Sequence, residues 1–503
     1  MRQTADSFGD YLKLYGDSWR DLDRYSEELL DYEDRTLYST WNISLTLIQA
    51  QDATAAELLR LMAYFDNQDL WYELFQAGAE DQPLWWSEMM GNKVRFNRAM
   101  SKLHDYSLVE PGVGRYSLHT CVHDWTMEYL NRNFDEGLWQ LAVHCVAQSV
   151  KWETEREYWV ENRRLLPHAQ RLKASRERRQ SGWEEVKARD IIMIAELFRQ
   201  LDMSAEAEEM YIRALQGYEK VMGLEHTLTL NTVNNLGTLY RKQGKMVEAE
   251  QMYIRALQGY EKVWGPEHTS TLRTVNSLGN LYRKQGKMVE AEQVYIRALQ
   301  GYEKVWGLEH TSTLRTVHNL GTLYSEQGKM VEAEQMYIRA LQGEKKALGP
   351  EHTSTLNTVH NLGTLYSNQG KMVEAEQMYI QALQGKEKAL GLEHTSTLDT
   401  VNNLGNLYRK QGKMVEAEQM YIRALQGYQK AWGPEHTSAL DTVNNMGNLY
   451  KIQGKMVEAE QMYVRALRGY EEARGPAHPN TRLIAANLRV LRIAMNLDHG
   501  RIN

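Results

Sequence analysis

One stretch of sequence, residues 269–310, decides the fold of most of this chain: TSTLRTVNSLGNLYRKQGKMVEAEQVYIRALQGYEKVWGLEH. Near-identical copies surround it, and each ends on a histidine that lies 42 residues from the next one. These histidines are His226, His268, His310, His352, His394, His436 and His478. Repetition at a fixed period of this length is typical of solenoids, in which each unit buries its apolar face against its neighbour. We number the six near-identical copies as repeats 1 to 6, and repeat 1 covers residues 227–268.

Each repeat contains the spacing of an amphipathic helix twice. In repeat 1 the small and apolar positions are Leu236, Gly237, Tyr240, Ala249, Tyr253 and Ala256. Gly244 lies between the two groups, where a left-handed residue ends a helix. The pattern predicts antiparallel helices over 228–243 (helix A) and 246–263 (helix B), with Gly237 and Ala249 allowing close approach. Thr269 is predicted to cap the next helix A, because threonine is a common N-cap residue.

The motif Leu-Gly-x-x-Tyr followed by Ala-x-x-x-Tyr-x-x-Ala resembles the tetratricopeptide repeat. The 42-residue period, with QGK-x-x-EAE and G-x-x-H at fixed places, is similar to the longer repeats of kinesin light chains and nephrocystin-like proteins. The resemblance implies an all-α, right-handed superhelical solenoid. A degenerate copy precedes repeat 1, with Asp202 in place of the loop glycine, so the array is predicted over 188–478. A capping helix over 483–495 is expected within the C-terminal segment 479–503.

Helix A differs between the copies at four offsets, which are separated by 3, 4 and 3 residues. The offsets therefore form one stripe on one side of the helix, and the resemblance implies that this side lines a concave groove. We predict that the stripe binds the ligand, since its side chains can hydrogen bond to an extended peptide. Row one is Asn231, Arg273, Arg315, Asn357, Asp399 and Asp441; row two is Asn234, Asn276, His318, His360, Asn402 and Asn444; row three is Thr238, Asn280, Thr322, Thr364, Asn406 and Asn448; row four is Arg241, Arg283, Ser325, Ser367, Arg409 and Lys451.

Two interpretations of this stripe remain open from sequence alone. Exposed positions can drift without selection, and the stripe would then have no function. Against drift, other polar positions such as Lys245 and Glu248 hardly change between the copies. A second variable group lies late in helix B, where we expect packing between repeats for the tryptophan and leucine series. Its members are Tyr260, Tyr302, Glu344, Lys386, Tyr428 and Tyr470, and then Trp264, Trp306, Leu348, Leu390, Trp432 and Arg474.

Charge and composition limit the kinds of partner. The net charge of −7 over 503 residues disfavours nucleic acid. Basic pairs such as Arg241-Lys242 recur along the stripe, but Ser325-Glu326 and Ser367-Asn368 interrupt them, which favours an acidic peptide over a continuous phosphate backbone. We therefore expect a protein or peptide partner, no membrane partner, and an oligomeric state that the sequence leaves open. Two cysteines, no signal-peptide pattern and no long apolar run predict a reducing, cytoplasmic setting.

The region before the repeats has a different pattern. Helical stretches over 55–64, 69–75 and 96–103 precede two short predicted strands, 106–109 and 115–118, around a Pro-Gly turn. Three helices followed by a hairpin predict a small winged-helix-like domain over 38–130. Residues 1–37 are predicted to be a helical remnant of a region associated with an NTPase, and residues 131–187 to be a helical bridge. A winged helix can also enter a DNA groove, but the acidic, tryptophan-rich surroundings disfavour that use.

This front domain resembles the winged-helix subdomain of NB-ARC-type signalling NTPases of the STAND class, especially fungal NLR-like proteins with tetratricopeptide arrays. The resemblance rests on Thr40-Trp41, the Leu58–Asp66 stretch, Leu103-x-x-Tyr106-Ser-Leu108, and Tyr116-Ser-Leu118-His119 with His123-Asp124-Trp125. In that family a histidine at the position of His119 lies near the nucleotide, but here Thr120 replaces the acidic residue. The chain also lacks a phosphate-binding G-x-x-x-x-G-K-[ST] loop. We therefore expect a structural role for His119, and a receptor that is truncated or whose NTPase lies outside this sequence.

No catalytic constellation is apparent, so we predict a protein that is not an enzyme and that needs neither cofactor nor metal. The repeated histidines are expected to stabilise turns, because one histidine per repeat is poorly spaced for a shared metal. His318 and His360 could make the groove sensitive to pH near neutrality. The predicted function is a protein- or peptide-binding scaffold, the ligand-sensing part of a fungal NLR-like receptor. The alternative is a cargo adaptor similar to kinesin light chains, although no heptad segment precedes the repeats.

Overall fold

The computed structural model describes residues 37–79, 83–152, 158–177, 183 and 186–502. The chain divides into two compact units. The first contains the described residues of Met1–Val150 and Arg163–Ile194, and the second those of Lys151–Asn162 and Ala195–Asn503. The predicted remnant over 1–37 lies almost entirely outside the described residues, and the predicted domain boundaries stay predictions.

The first unit consists of short helices and one small hairpin. Its elements are α1 Leu37–Gln51, α2 Ala53–Met62, α3 Tyr72–Ala77, α4 Leu84–Met90, α5 Lys93–Asp105, β1 Glu110–Gly112, β2 Arg115–Ser117, α6 Thr120–Trp125 with a π-helical turn Thr126–Leu130, and α7 Glu136–Ser149. The helices α8 Tyr158–Glu177 and α9 Ala188–Gln200 continue the chain. The core of this unit includes Trp86, Trp125 and Trp139, which are fully buried. The sequence analysis did not predict α4 as a helix.

The hairpin lies later in the chain than the predicted first strand, so the strand over 106–109 is wrong. The antiparallel pairs are Glu110 with Ser117 and Gly112 with Arg115. Residues 106–109 instead end α5, because Ser107 takes a left-handed φ of +57° and the amide of Leu108 donates to the carbonyl of Leu103 at 2.9 Å. The tight helix end uses the amides of Ser107 and Leu108, which a strand over 106–109 could have directed toward β2.

The second unit is a row of helical hairpins, so the predicted all-α solenoid is confirmed. The degenerate copy ends with α10 Ser204–Met222. The A helices are α11 Thr227–Gln243, α13 Thr269–Lys284, α15 Thr311–Glu326, α17 Thr353–Asn368, α19 Thr395–Lys410 and α21 Thr437–Ile452. The B helices are α12 Met246–Trp264, α14 Met288–Trp306, α16 Met330–Ala347, α18 Met372–Leu390, α20 Met414–Trp432 and α22 Met456–Arg474, and α23 Pro479–Ile502 closes the array.

Glycines set how closely the two helices of one hairpin pack. A Cβ atom on Gly279 of helix A would lie 2.5 Å from the ring of Tyr295 on helix B. A Cβ atom on Gly301 of helix B would lie 2.4 Å from Leu272 on helix A. The same two contacts recur in all six repeats. The expected role of Gly237 is therefore confirmed, and helix B contributes a second close approach that the sequence analysis did not name.

The helix ends show one confirmed prediction and one wrong one. Gly244 ends α11 with a φ of +80°, and Asp202 takes the same left-handed region at +57° in the degenerate copy. Thr269, however, is not the cap of α13. The N-cap is His268, whose Nδ1 accepts from the amide of Ser270 at 3.2 Å. The hydroxyl of Thr271 instead donates to the carbonyl of Gly265 at 2.8 Å. This hydroxyl therefore stabilises the turn before α13 rather than capping the helix.

Ion pairs connect successive B helices on the outer side of the helical hairpins. Lys287 pairs with Glu250 at 3.3 Å, Arg297 pairs with Glu261, and the same spacings recur along the array. Each exposed pair contributes about 0–1 kcal/mol. The pairs nevertheless recur at fixed positions, and together they involve most of the charged side chains of helix B. In the part of the chain that the structure describes, no helix is both long and apolar enough to cross a membrane.

Candidate functional site: the stripe of helix A and the adjoining cavity

Row three of the stripe holds each hairpin together. Every member of this row bonds to the tyrosine of helix B in its own repeat, at 2.8–3.0 Å. The Tyr295 hydroxyl, for example, donates to Oδ1 of Asn280 at 2.9 Å. Burial raises the pKa of Tyr295 to about 12, so its hydroxyl stays a donor. Threonine and asparagine can replace each other in this row because each provides an oxygen that can accept this bond.

Row two joins each repeat to the next. Thr274 donates to Oδ1 of Asn234 at 3.2 Å, and Asn319 donates to Oδ1 of Asn276 at 3.2 Å. In the same way, Oδ1 of Asn402 accepts from Asn445, and Oδ1 of Asn444 accepts from Asn487. Asparagine and histidine therefore have the same function in this row: each bonds to the following helix.

The two histidines of row two make the same bridge with both ring nitrogens. Nε2 of His318 accepts from the side-chain amide of Asn361 at 2.9 Å, and Nδ1 contacts Oγ1 of Thr358 at 2.8 Å. Because an amide nitrogen only donates, the proton of this imidazole is on Nδ1. Burial and the nearby Arg283 lower the pKa of His318 to about 4. Burial and then Lys386 lower the pKa of His360 to about 3.

These two histidines are therefore neutral at physiological pH. The expectation that they make the groove sensitive to pH near neutrality is wrong, because each ring is half-buried, is bonded between repeats and has a lowered pKa.

Row one stays accessible. Arg273, Arg315, Asn357 and Asp399 are exposed, and the two other members of the row are half-buried. Tyr470 donates to Asp441 at 2.6 Å, and Tyr428 makes the same bond to Asp399. Arg273 donates to the neutral Oδ1 of Asn231, at 2.7 Å.

The tyrosine bonds do not offset the partial desolvation of the two carboxylates. Burial raises the pKa of Asp399, and it raises the pKa of Asp441, where Asp399 adds repulsion. The row thus has two arginines toward the start of the array and two acids toward its end.

Row four is mixed. Arg283 pairs with Glu326, and the buried Ser367 accepts from Lys410 at 3.0 Å. The buried Nε atoms of Arg241 and Arg409 have no hydrogen-bond partner among the described residues. Such buried donors are costly unless something accepts from them. As whole residues Arg241 and Arg409 are half-buried, so row four is partly exposed at repeats 1 and 5.

The late helix B positions behave as packing residues, with two exceptions. Tyr260 and Tyr302 are fully buried, but repeats 3 and 4 place Glu344 and Lys386 at this position, and both are buried. Burial raises the pKa of Glu344, whose Oε2 has no hydrogen-bond partner among the described residues. Burial lowers the pKa of Lys386 to about 8, and its Nζ donates to Ser396 and Thr400 at 3.2 Å.

Trp264 and Trp306, which follow in helix B, are about half exposed, and each stacks on the histidine that caps the next helix A. The rings of Trp264 and His268 lie 5.1 Å apart, and those of Trp306 and His310 lie 4.9 Å apart. The expected packing between repeats is thus a ring stack at the junction.

A cavity of about 460 Å³ lies within the second unit. Residues from opposite ends of the array line it, because His436 of repeat 5 lies 3.4 Å from the carboxylate of Asp202 in the degenerate copy. The rings of Trp159 and His394 lie 5.1 Å apart beside it. Its lining is Tyr158, Arg199, Gln200, Asp202, Lys242, Thr353, Asn357, Leu390, His394, Thr395, Ser396, Trp432 and His436.

Only Asn357 of the predicted ligand-binding residues lines this cavity. The sequence analysis missed Tyr158 and Trp432 as lining residues, since they are far apart in the chain and no local pattern connects them. Row one therefore reaches the cavity at repeat 4, and rows two and three are occupied by bonds within the array. Among the described residues, no three histidine, cysteine, aspartate or glutamate side chains gather closely enough to hold a metal.

His119 begins α6 as its N-cap, with Nδ1 accepting from the amide of Cys121 at 3.3 Å. This is the structural role that we expected for it. The same chemistry is found at all the repeated histidines, so histidine capping is a general device of this chain.

Comparison with known proteins gives the family. The family model for the tetratricopeptide repeat matches residues 190–262, 229–304, 270–343, 312–388, 354–430 and 395–472, which together span more than half of the chain. No curated protein matches.

Several solved structures are similar. The putative kinesin light chain of Podospora anserina, with nearly identical TPR-like repeats, is 26% identical over 41% of this chain and 99% of its own, with a TM-score of 0.36. BtubC (BKLC) from P. vanneervenii is 22% identical over 46% and 91%, with a TM-score of 0.37. The STAND protein PH0952 of Pyrococcus horikoshii, which has a tetratricopeptide repeat sensor, is 14% identical over 92% and 63%, with a TM-score of 0.48. On the family match, this chain belongs to the tetratricopeptide repeat family.

Proposed function

We propose that this chain is a protein-binding scaffold that holds a peptide or an extended protein segment against rows one and four of the stripe. Tetratricopeptide arrays are typical non-catalytic scaffolds for protein–protein interaction. The observation that carries the proposal is that different rows of the stripe have different roles. Rows two and three are engaged in bonds within the array, whereas row one is accessible and its charged members have no partner of opposite charge in direct contact. An accessible charged row along repeated helices can give a ligand many weak contacts in register.

We further propose that the chain is the ligand-sensing part of a fungal NLR-like receptor and acts in the cytosol. Helices followed by the hairpin of β1 and β2 ahead of the array support the first point, since they suit the resemblance to NB-ARC-associated winged helices. Cys121 and Cys145 are not joined in a disulfide, which suits a reducing compartment. The cargo-adaptor function remains the alternative, and the identity of the captured partner distinguishes the two. Nucleic acid is not proposed as a partner, because the acids of row one would repel phosphates.

Site-specific photocrosslinking tests this proposal. A benzophenone amino acid replaces Arg315 in row one, and in a matched variant it replaces Val331, an exposed residue of helix B in the same repeat. Both variants are irradiated in lysate of the source organism, and the crosslinked proteins are identified by mass spectrometry. We expect a discrete partner at position 315 that is absent at position 331.

The same partner should disappear when Arg273, Arg315, Asp399 and Asp441 are all replaced by asparagine in a chain that has the crosslinker at Asn357. Asparagine already occupies this offset in repeats 1 and 4, so the array should stay folded. Equal crosslinking at positions 315 and 331, or a partner that survives the fourfold replacement, would show that the stripe is not the binding surface.

A further inference from the structure

The geometry points to a ligand with two opposite charge clusters: an acidic cluster that contacts Arg273 and Arg315, and a basic cluster that contacts Asp399 and Asp441. The inference rests on the proposed function and specifies the class of ligand. It differs from the expectation of a simply acidic peptide, because the sign of row one changes along the array.

The charges of row one contrast with those of the rest of the array. Charged side chains of helix B are mostly paired from repeat to repeat, as in the pair of Lys287 and Glu250. Within the described ranges, neither Arg273 nor Arg315 has a carboxylate within 4.0 Å, and neither Asp399 nor Asp441 has a cation within that distance. These four side chains are therefore available to pair with the charges of a partner.

The acidic end has the electrostatics of a cation site. Asp399 and Asp441 belong to neighbouring repeats; burial raises the pKa of Asp441, and repulsion from Asp399 raises it further. Lys386 lies close enough to favour the ionised form of Asp399, but its Nζ is bonded to Ser396 and Thr400. A ligand cation would relieve the repulsion between the two acids.

The cations of row four do not cancel this pattern. Arg409 and Lys451 lie in the same repeats as the two acids, ten positions further along helix A. Ten residues of helix span roughly 15 Å. A chain that lies along row one therefore meets a single change of sign, from Arg315 to Asp399.

The spacing of the two clusters can be derived from the packing. Row-two bonds join neighbouring A helices directly, so each repeat advances about 8–10 Å. Arg315 and Asp399 are two repeats apart, which is roughly 16–20 Å. An extended peptide covers that distance in about five residues at ~3.5 Å per residue. Asn357 lies between the clusters and lines the cavity, so the path between them has room for a chain.

Fluorescence anisotropy with synthetic peptides tests the inference. The bipolar probe has four glutamates, a five-residue Gly/Ser spacer and four lysines. The control has the same composition with alternating glutamate and lysine in the charged blocks, and two further probes carry eight glutamates or eight lysines. We expect the bipolar probe to bind the full chain about tenfold more tightly than the alternating probe, which corresponds to about 1.4 kcal/mol, and salt to weaken its binding.

Two variants separate the two clusters. Replacement of Arg273 and Arg315 by asparagine should weaken binding of the all-glutamate probe about tenfold and leave the all-lysine probe unchanged. Replacement of Asp399 and Asp441 by asparagine should give the reverse pattern. Equal binding of the bipolar and alternating probes, the absence of binding, or variants that affect both homopolymeric probes alike would each overturn the inference. A crosslinked partner without paired clusters would also overturn it, while leaving the proposed function intact.

Discussion

At the scale of single residues, helix capping by a ring nitrogen explains why one histidine recurs in every repeat. Seven helices, from α11 to α23, begin after a histidine whose Nδ1 accepts from the amide two residues later, at 3.1–3.3 Å. The first amides of a helix lack partners within it, and the ring nitrogen satisfies one of them. In repeats 1 and 2 the same ring stacks on the tryptophan that ends the previous helix B. Histidine therefore caps one helix and contacts another with the same side chain.

Removing one cap should destabilise the array modestly. We expect His268→Leu to lower the free energy of unfolding by about 1 kcal/mol, because a leucine cannot accept from the amide of Ser270. His268→Asn is the matched control, since asparagine is a good N-cap and should retain most of the stability. Urea midpoints and hydrogen exchange of the first amides of α13 measure the difference. If His268→Leu and wild type exchange equally at these amides, the cap contributes nothing.

The enclosed histidines of row two should make the protein less stable in acid. Their folded pKa values, about 4 for His318 and about 3 for His360, lie below the ordinary value near 6.5. Between about pH 6.5 and pH 4 the unfolded chain thus binds more protons than the folded chain, so stability falls as the pH falls through this window and is unaffected above it. Urea midpoints measured across this range should show the slope.

The variant with His318→Asn and His360→Asn supplies the control, because asparagine fills row two in the four other repeats. This variant should lose part of the slope below pH 6.5 and match the wild type at pH 7. An unchanged slope would mean that the two rings protonate freely in the folded protein.

At the scale of elements, the last repeat depends on α23. Ile484, Leu488 and Leu491 of this helix are buried against the apolar residues of repeat 6, including Tyr463 and Tyr470. Every internal hairpin has a neighbour on both sides, whereas repeat 6 has only this helix on its C-terminal side. A terminal cap is a general need of repeat proteins, because the end unit cannot bury its face alone.

Leu491→Asp should therefore open the end of the array. Leu491 is fully buried, and replacing a buried leucine typically costs about 2–5 kcal/mol even without the added charge. Val490 is 53% exposed, so Val490→Asp is a matched control that should change stability little. Limited proteolysis of the C-terminal repeat, read by mass spectrometry, distinguishes the variants. Equal protection of both variants would show that α23 does not seal repeat 6.

At the scale of the whole molecule, the repeats pack through nearly identical junctions. Row-two bonds, ion pairs and ring stacks connect only neighbouring units, so stability should be close to a sum of repeat and junction contributions. The contacts of Asp202 with His436 and of Trp159 with His394 are exceptions, because each joins residues that are far apart in the chain. Neighbour contacts set the curvature of the array, and this curvature brings the degenerate copy to repeat 5 and encloses the cavity.

Deletion of one whole repeat should leave a folded array. Without residues 311–352, His310 precedes Thr353 as His352 does in the native chain. We expect helical circular dichroism per residue to be unchanged, and the urea midpoint to fall because one unit and one junction are lost. Deletion of residues 311–331 leaves a helix B without its partner and should cause aggregation or local unfolding. If both deletions behave alike, the 42-residue unit is not the cooperative building block.

The sequence by itself determined the helical hairpin of each repeat, its period, the glycines that end its helices and the capping helix after the last repeat. These features depend on contacts within one repeat or between two neighbouring units. It also located the variable stripe. Only the tertiary structure separated that stripe into rows two and three, which bond within the array, and rows one and four, which we propose contact the ligand. The same polar residue types serve both purposes, so residue identity alone could not distinguish them. Likewise the cavity, and the approach of Asp202 to His436, arise from curvature accumulated over several repeats, and no local sequence pattern encodes that sum.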